Sequence, residues 1–199
     1  MLSNKHPNLK IQDIRGNLNT RLRKLEEQDF EAIILARAGV ERLGWASKIH
    51  QILDKSEYQY APAQGSLAVQ CREDDPETES LLKLIDNPFS RRIVEAERIY
   101  LRTLEGGCTL PISVNTQIFH KDNDSVEITQ FDTESDTKDY KMAVSGTVYD
   151  RNQYTNYLEH QVKGDLDDWI ELGKQLANDL REKGAIEFIQ NLPDDHKEE

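Results

Sequence analysis

The apolar positions of this chain follow one rhythm up to about residue 58 and another beyond it. Residues 9–14 alternate and are bounded by Pro7 and Gly16, which predicts a strand. Asn17 is placed to cap a helix running to about Gln28, with Leu18, Leu22 and Leu25 on one face. Ala32-Ile33-Ile34-Leu35-Ala36 is short and wholly apolar, as a strand buried on both faces would be. A second helix is expected over about 38–43. Strand, helix, strand and helix with short links imply a parallel α/β layer. Two strands do not complete a doubly wound sheet, so the chain is expected to begin in the middle of a domain.

From Tyr60 the pattern changes. Tyr-Ala-Pro-Ala-Gln-Gly-Ser at 60–66 reads as a hinge or crossover, followed by an expected strand at 67–71. Asp74-Asp75-Pro76-Glu77 starts a helix with proline near its first turn. Asn87 or Ser90 starts a longer one reaching about Leu104, with Ile93, Ala96 and Tyr100 or Leu101 facing inward. Gly106 and Gly107 end it. Alternating stretches around 112–119, 126–131, 141–149 and 154–162 predict antiparallel strands, and 132–139 an acidic mobile loop. Residues 166–183 carry a strong amphipathic helix pattern, capped by Asp165 and closed by Gly184. A short helix through 186–190 and a disordered acidic tail follow. There is no internal repeat.

Charge alters this picture in one respect. The net charge of −12 over 199 residues argues against nucleic acid as a partner. Yet residues 1–48 hold nine Lys/Arg against six Asp/Glu, while 111–199 hold twenty acids against nine bases. The basic part can receive anionic ligands, and the acidic part reads as a solvated face. No run approaches the roughly 18 apolar residues of a membrane span, and no cleavable leader pattern opens the chain. Two cysteines, Cys71 and Cys108, make no disulfide framework, so a reducing, cytosolic compartment is expected. The five histidines lack metal-ligand spacing, so no metal site is expected. Neither a phosphate-cradling glycine loop nor a nucleophile elbow is present.

The residues that could carry chemistry are few. Cys108 follows Gly106-Gly107 and precedes Pro111, in a turn where glycines let a bulky group approach the backbone. On residue type alone it reads as a small buried hydrophobe rather than a reactive group. Cys71, in a strand-like run, reads as structural. Arg15 stands at a strand end, Arg21 one turn into the next helix, and Arg42 near the end of the second strand–helix unit. All three could converge on one rim and bind carboxylates by a bidentate fork, or form solvated surface ion pairs. Arg23, Lys24 and Arg37 read as surface residues, and Glu97-Arg98 as an anchor for its helix.

Four segments in order carry a resemblance. They are Ile14-Arg15-Gly16-Asn17 with Thr20-Arg21-Leu22, then Ala32 through Gly44, then Ala61-Pro62-Ala63-Gln64-Gly65-Ser66-Leu67, and Ala96-Glu97-Arg98 followed by Leu104-Glu105-Gly106-Gly107-Cys108. With them the chain resembles roughly the C-terminal three-fifths of the porphobilinogen deaminase (hydroxymethylbilane synthase) family, with the N-terminal domain and its catalytic aspartate missing. The resemblance implies an α/β plus α+β fold. A partial, periplasmic-binding-protein-like α/β domain would occupy 1–58, a hinge and return strand 59–75, a C-terminal α+β domain with a small helix-covered antiparallel sheet 76–192, and a tail 193–199.

It also implies a dipyrromethane cofactor attached through Cys108 and held by Arg15, Arg21 and Gly16. Arg42 and Gln64 would then meet the substrate porphobilinogen. The activity implied is a transferase's stepwise polymerisation of four porphobilinogen units in heme biosynthesis, by a full enzyme that is monomeric, with no membrane or nucleic acid involved. Without the first domain the chain is expected to be a poor catalyst that is prone to aggregate. Two alternatives stand beside this: a non-catalytic truncated isoform acting as a binding or regulatory partner, and an unrelated small anion-binding α/β module.

Overall fold

The computed structural model of the chain describes residues 1–104, 110–129, 136–150 and 156–190. The chain divides into two units, Met1–Tyr58 and Gln59–Glu199. The first holds α1 (Leu2–Lys5), α2 (Leu18–Glu27), α3 (Arg37–Arg42) and a 3-10 turn at Ala46–Lys48. As its sequence requires, Asn17 caps α2, its side-chain oxygen accepting from Thr20 N–H at 2.8 Å. Near the unit's end, His6 Nε2 and the Tyr58 hydroxyl lie 2.9 Å apart with their rings stacked.

The strands expected at 9–14 and 32–36 do not form. Neither stretch enters a ladder among the described residues. A strand exists through its neighbour, and an apolar run without one has no partner for its N–H and C=O groups. Leu9, Ile11 and Ile34 stand more than half exposed, and Val40 alone is buried among the described residues of this unit. The expected parallel layer is therefore not assembled.

The second unit is built around one sheet. Strands β1 (Ile112–His120), β2 (Asn123–Glu127), β3 (Tyr140–Tyr149) and β4 (Tyr157–Asp165) lie in the order β2-β1-β3-β4, all antiparallel. Val114 pairs with Gly146 and Val144 with Val162, which puts alternate residues of each strand on one face. That face is covered by α5 (Pro88–Thr103) and α6 (Trp169–Glu182). Phe89, Tyr100, Leu104, Val114, Ile118, Met142, Val144, Leu172, Leu176 and Leu180 form its core. Gly173 lets the two helices meet, since a Cβ there would come 2.5 Å from the Ala96 carbonyl oxygen. Before them, α4 (Pro76–Lys83) starts on Asp75, which accepts from Thr78 N–H at 3.0 Å, and α7 (Ala185–Gln190) follows the Gly184 turn.

Several boundaries differ from expectation. The 67–71 stretch enters no ladder among the described residues, Leu67 and Val69 are largely exposed, and Cys71 is exposed rather than structural. β2 begins three residues before the expected 126, and β4 is displaced toward the C-terminus. Asp165 does not cap the last long helix. It still belongs to the ladder opposite Lys141, and its carboxylate is held 2.9 Å from Lys121 Nζ. A 3-10 turn (Leu166–Asp168) that buries Leu166 comes first, and α6 starts at Trp169. Of the expected acidic loop, Thr137–Asp139 forms a 3-10 turn capped by Asp136, while 130–135 lie outside the described residues, as does the tail.

Candidate cofactor and substrate site

In the first unit, the turn before α2 gathers three of the expected site residues, Arg15, Gly16 and Arg21. Gly16 has φ 116°, and a Cβ there would sit 2.8 Å from Thr20 Cγ2, so both conformation and space select glycine. The turn is fixed by the cations themselves. Arg21 Nε donates to the Gly16 carbonyl at 2.8 Å, and Lys24 Nζ donates to the Arg15 carbonyl at 3.1 Å. Arg15 extends into solvent, 3.7 Å from an equally exposed Asp13 carboxylate. In water such a pair is weak and easily exchanged for another anion. Arg15, Arg21 and Lys24 thus stand together where the α2 N-terminus also favours negative charge. Lys24, read from sequence as a surface residue, takes part in this turn. Arg42 is carried elsewhere, exposed in the last turn of α3.

In the second unit, Gln64 lies exposed in a tight turn. Its N–H donates to the Ala61 carbonyl at 2.9 Å, and Ser66 Oγ donates to the Ala63 carbonyl at 2.6 Å. Ala63 takes φ 63°, a left-handed conformation that costs a residue with a side chain. What holds it there is Glu97 of α5, whose side chain is buried. The carboxylate accepts from Ala63 N–H at 2.7 Å, from the Tyr60 hydroxyl at 3.0 Å and from Thr116 Oγ1 at 2.8 Å. Thr116 N–H in turn donates to the Tyr60 oxygen at 3.0 Å, and Tyr60 joins the sheet edge through both backbone bonds to Val114. Burial, and then the nearby Glu97 charge, raise the Tyr60 pKa far above an ordinary phenol's. Glu97 therefore anchors a turn as well as its own helix. The signal was present in sequence, for Ile93, Glu97, Tyr100 and Leu104 share one helical stripe, and a carboxylate on an apolar stripe must find buried donors.

Cys108 lies outside the described residues. The chain leaves α5 at Leu104, fully buried, and resumes at Leu110, packed against the same core before β1. Among the described residues, no three His, Cys, Asp or Glu side chains are grouped to hold a metal ion, and no helix is long and apolar enough to cross a membrane.

The chain thus joins a unit with a cationic turn at a helix N-terminus to a unit built on a helix-backed antiparallel sheet. Comparison with known proteins makes this specific. Residues 1–80 match the family description "Porphobilinogen deaminase, dipyromethane cofactor binding domain", and residues 92–182 match "Porphobilinogen deaminase, C-terminal domain". The chain belongs to the porphobilinogen deaminase family. It is 38% identical over 191 residues to the porphobilinogen deaminase of Nostoc sp. (strain PCC 7120 / SAG 25.82 / UTEX 2576), covering 96% of this chain and 53% of that one. It is 38% identical over 192 residues to the Synechococcus elongatus protein of the same name (96% and 53%), and 37% identical over 194 residues to that of Staphylococcus aureus (strain Newman; 96% and 56%). The chain spans about half the length of the curated relatives it matches.

Proposed function

We propose that this chain supplies the cofactor-holding and C-terminal portions of a hydroxymethylbilane synthase, working on porphobilinogen in the reducing cytosol. The reading rests above all on the Gly16 turn, where Arg15, Arg21 and Lys24 gather at a helix N-terminus inside the segment that matches the cofactor-binding domain. Dipyrromethane carries carboxylate side chains and serves as the primer to which porphobilinogen units are joined. The residues fit such a group. Guanidinium stays charged at any working pH and accepts a carboxylate in two parallel hydrogen bonds. Cys108 is the tether, Arg15 and Arg21 with the Gly16 turn hold the cofactor's acid groups, and Arg42 and Gln64 meet the incoming substrate. Residues 59–75 act as the hinge and return segment, and 76–192 as the domain that presents Cys108.

The chain by itself is an incomplete catalyst in this reading. Its support is the set of apolar stretches at 9–14, 32–36 and 67–71, which have no ladder partner among the described residues. Leu67, Val69 and Ile34 stand open to solvent. The same exposed stretches favour the second reading, a non-catalytic chain that binds a partner.

Intact-mass analysis of chain produced with a supply of porphobilinogen tests the main reading. A mass gain of one dipyrromethane is expected at Cys108, absent in Cys108→Ala and reduced about tenfold or more in the double variant Arg15→Ala, Arg21→Ala, as loss of charge-assisted bonds implies. An unmodified Cys108 would leave the non-catalytic reading in possession. Brisk turnover of porphobilinogen by the pure chain would refute incompleteness.

A further inference from the structure

Apart from the cofactor-binding segment, one cluster of titratable side chains is arranged for chemistry. Lys183 is the C-cap of α6, and its exposed Nζ lies 2.8 Å from Nδ1 of His160 on β4. His160 Nε2 lies 3.0 Å from Asp179 Oδ2, one turn earlier on α6. An ammonium has only donors, so Nδ1 must be the accepting nitrogen. The ring proton then sits on Nε2 and donates to the carboxylate. Amine, imidazole and carboxylate are thereby lined up as nucleophile, base and orienting group, the order in which a hydroxyl or thiol nucleophile is activated elsewhere. The His160 and Asp179 side chains are each 31% exposed, so the row is reachable from solvent.

We propose that Lys183 is an acyl-acceptor site, modified by acyl thioesters faster than the other surface lysines. The ammonium first releases one proton to water. Nζ then forms a bond to the thioester carbonyl carbon and the carbon–sulfur bond breaks. His160 Nδ1 takes the second proton from the attacking nitrogen and yields it to the departing thiolate, leaving an amide and a free thiol. Lys174 is the internal control. It is exposed on the same helix, but its Nζ is paired 2.9 Å from the Glu171 carboxylate, with no imidazole in the pairing. Acylation would remove the charge of Lys183.

Incubating the full chain with the acetyl thioester of a small thiol, and following each lysine by peptide mass spectrometry, tests this. Lys183 should acetylate about tenfold faster than Lys174, a modest share of what a positioned general base contributes in an enclosed site. His160→Gln should bring Lys183 down to the Lys174 rate, and Asp179→Asn should slow it several-fold without touching Lys174. Equal rates at the two lysines in the unaltered chain would overturn the proposal, and this comparison needs no variant to fold. A Lys183 rate unmoved by both substitutions would overturn it as well.

Discussion

Met1–Tyr58 and Gln59–Glu199 treat their apolar side chains in opposite ways. The second unit pairs four strands, lays two long amphipathic helices across one face, and seals Phe89, Tyr100, Leu104 and Leu176 from water completely. The first has one helix, α2, with a side-chain cap and a glycine turn of defined geometry, yet buries Val40 alone among its described residues. The difference lies in how the partners of each apolar stretch are distributed along the chain. In the second unit, each strand's neighbour comes within some thirty residues in sequence, and hairpin-like links deliver it. In the first, the runs at 9–14 and 32–36 have the composition of interior strands but meet no strand neighbour among the described residues. The cations of the Gly16 turn thus sit on the less consolidated unit, while the paired sheet belongs to the other.

Truncating the cores should give the largest contrast. Phe89→Ala is expected to cost about 3–5 kcal/mol in denaturant unfolding of the chain, as for a fully buried aromatic, whereas Val40→Ala should cost below about 2 kcal/mol. Comparable losses would mean that the first unit has a core of its own.

The Glu97 anchor should come next. In Glu97→Gln the amide can still accept from Tyr60 and Thr116, but its NH2 group faces the Ala63 N–H. A buried donor left unmatched costs about 1–3 kcal/mol. Hydrogen exchange should speed up at Ala63 and Gln64, with little change at β3. Unchanged exchange across 60–66 would show that the turn holds itself.

The smallest effect is a pH dependence confined to the second unit. Tyr60 and Tyr100 both have pKa values raised above 10.0, first because burial disfavours phenolate. A group whose folded pKa is raised contributes stability that is complete below its unfolded value and lost as pH rises toward the folded one. The unfolding midpoint should therefore be level below about pH 10 and fall above it. Tyr60→Phe should flatten part of that fall.

How far the sequence reveals this arrangement depends on whether the deciding partner is local. Caps and turns are local, so Asn17, Asp75, Pro76, Gly16 and Gly184 could be read directly. The helix periods of 88–103 and 169–182 and the alternation of β1 and β3 were likewise legible. Strand existence is not local. Residues 9–14, 32–36 and 67–71 have a strand's composition and no ladder among the described residues, because composition cannot say whether a neighbour is at hand. Asp165 misled for a related reason: its cap role was displaced by ladder pairing and by Lys121, which lies far away in sequence. At the site, motif order pointed to Arg15, Gly16 and Arg21, and the structure joins Arg21 to the Gly16 carbonyl. The participation of Lys24 and the clamp from Glu97 to Ala63 are hydrogen bonds to backbone groups, which side-chain identity does not announce.

Hydrogen exchange of the whole chain, resolved by peptide, tests the contrast between the units most directly. The account predicts slow exchange, at the level of global unfolding, in β1, β3, α5 and α6, and exchange faster by orders of magnitude throughout Met1–Tyr58. Equal protection in α2 and β3 would contradict it.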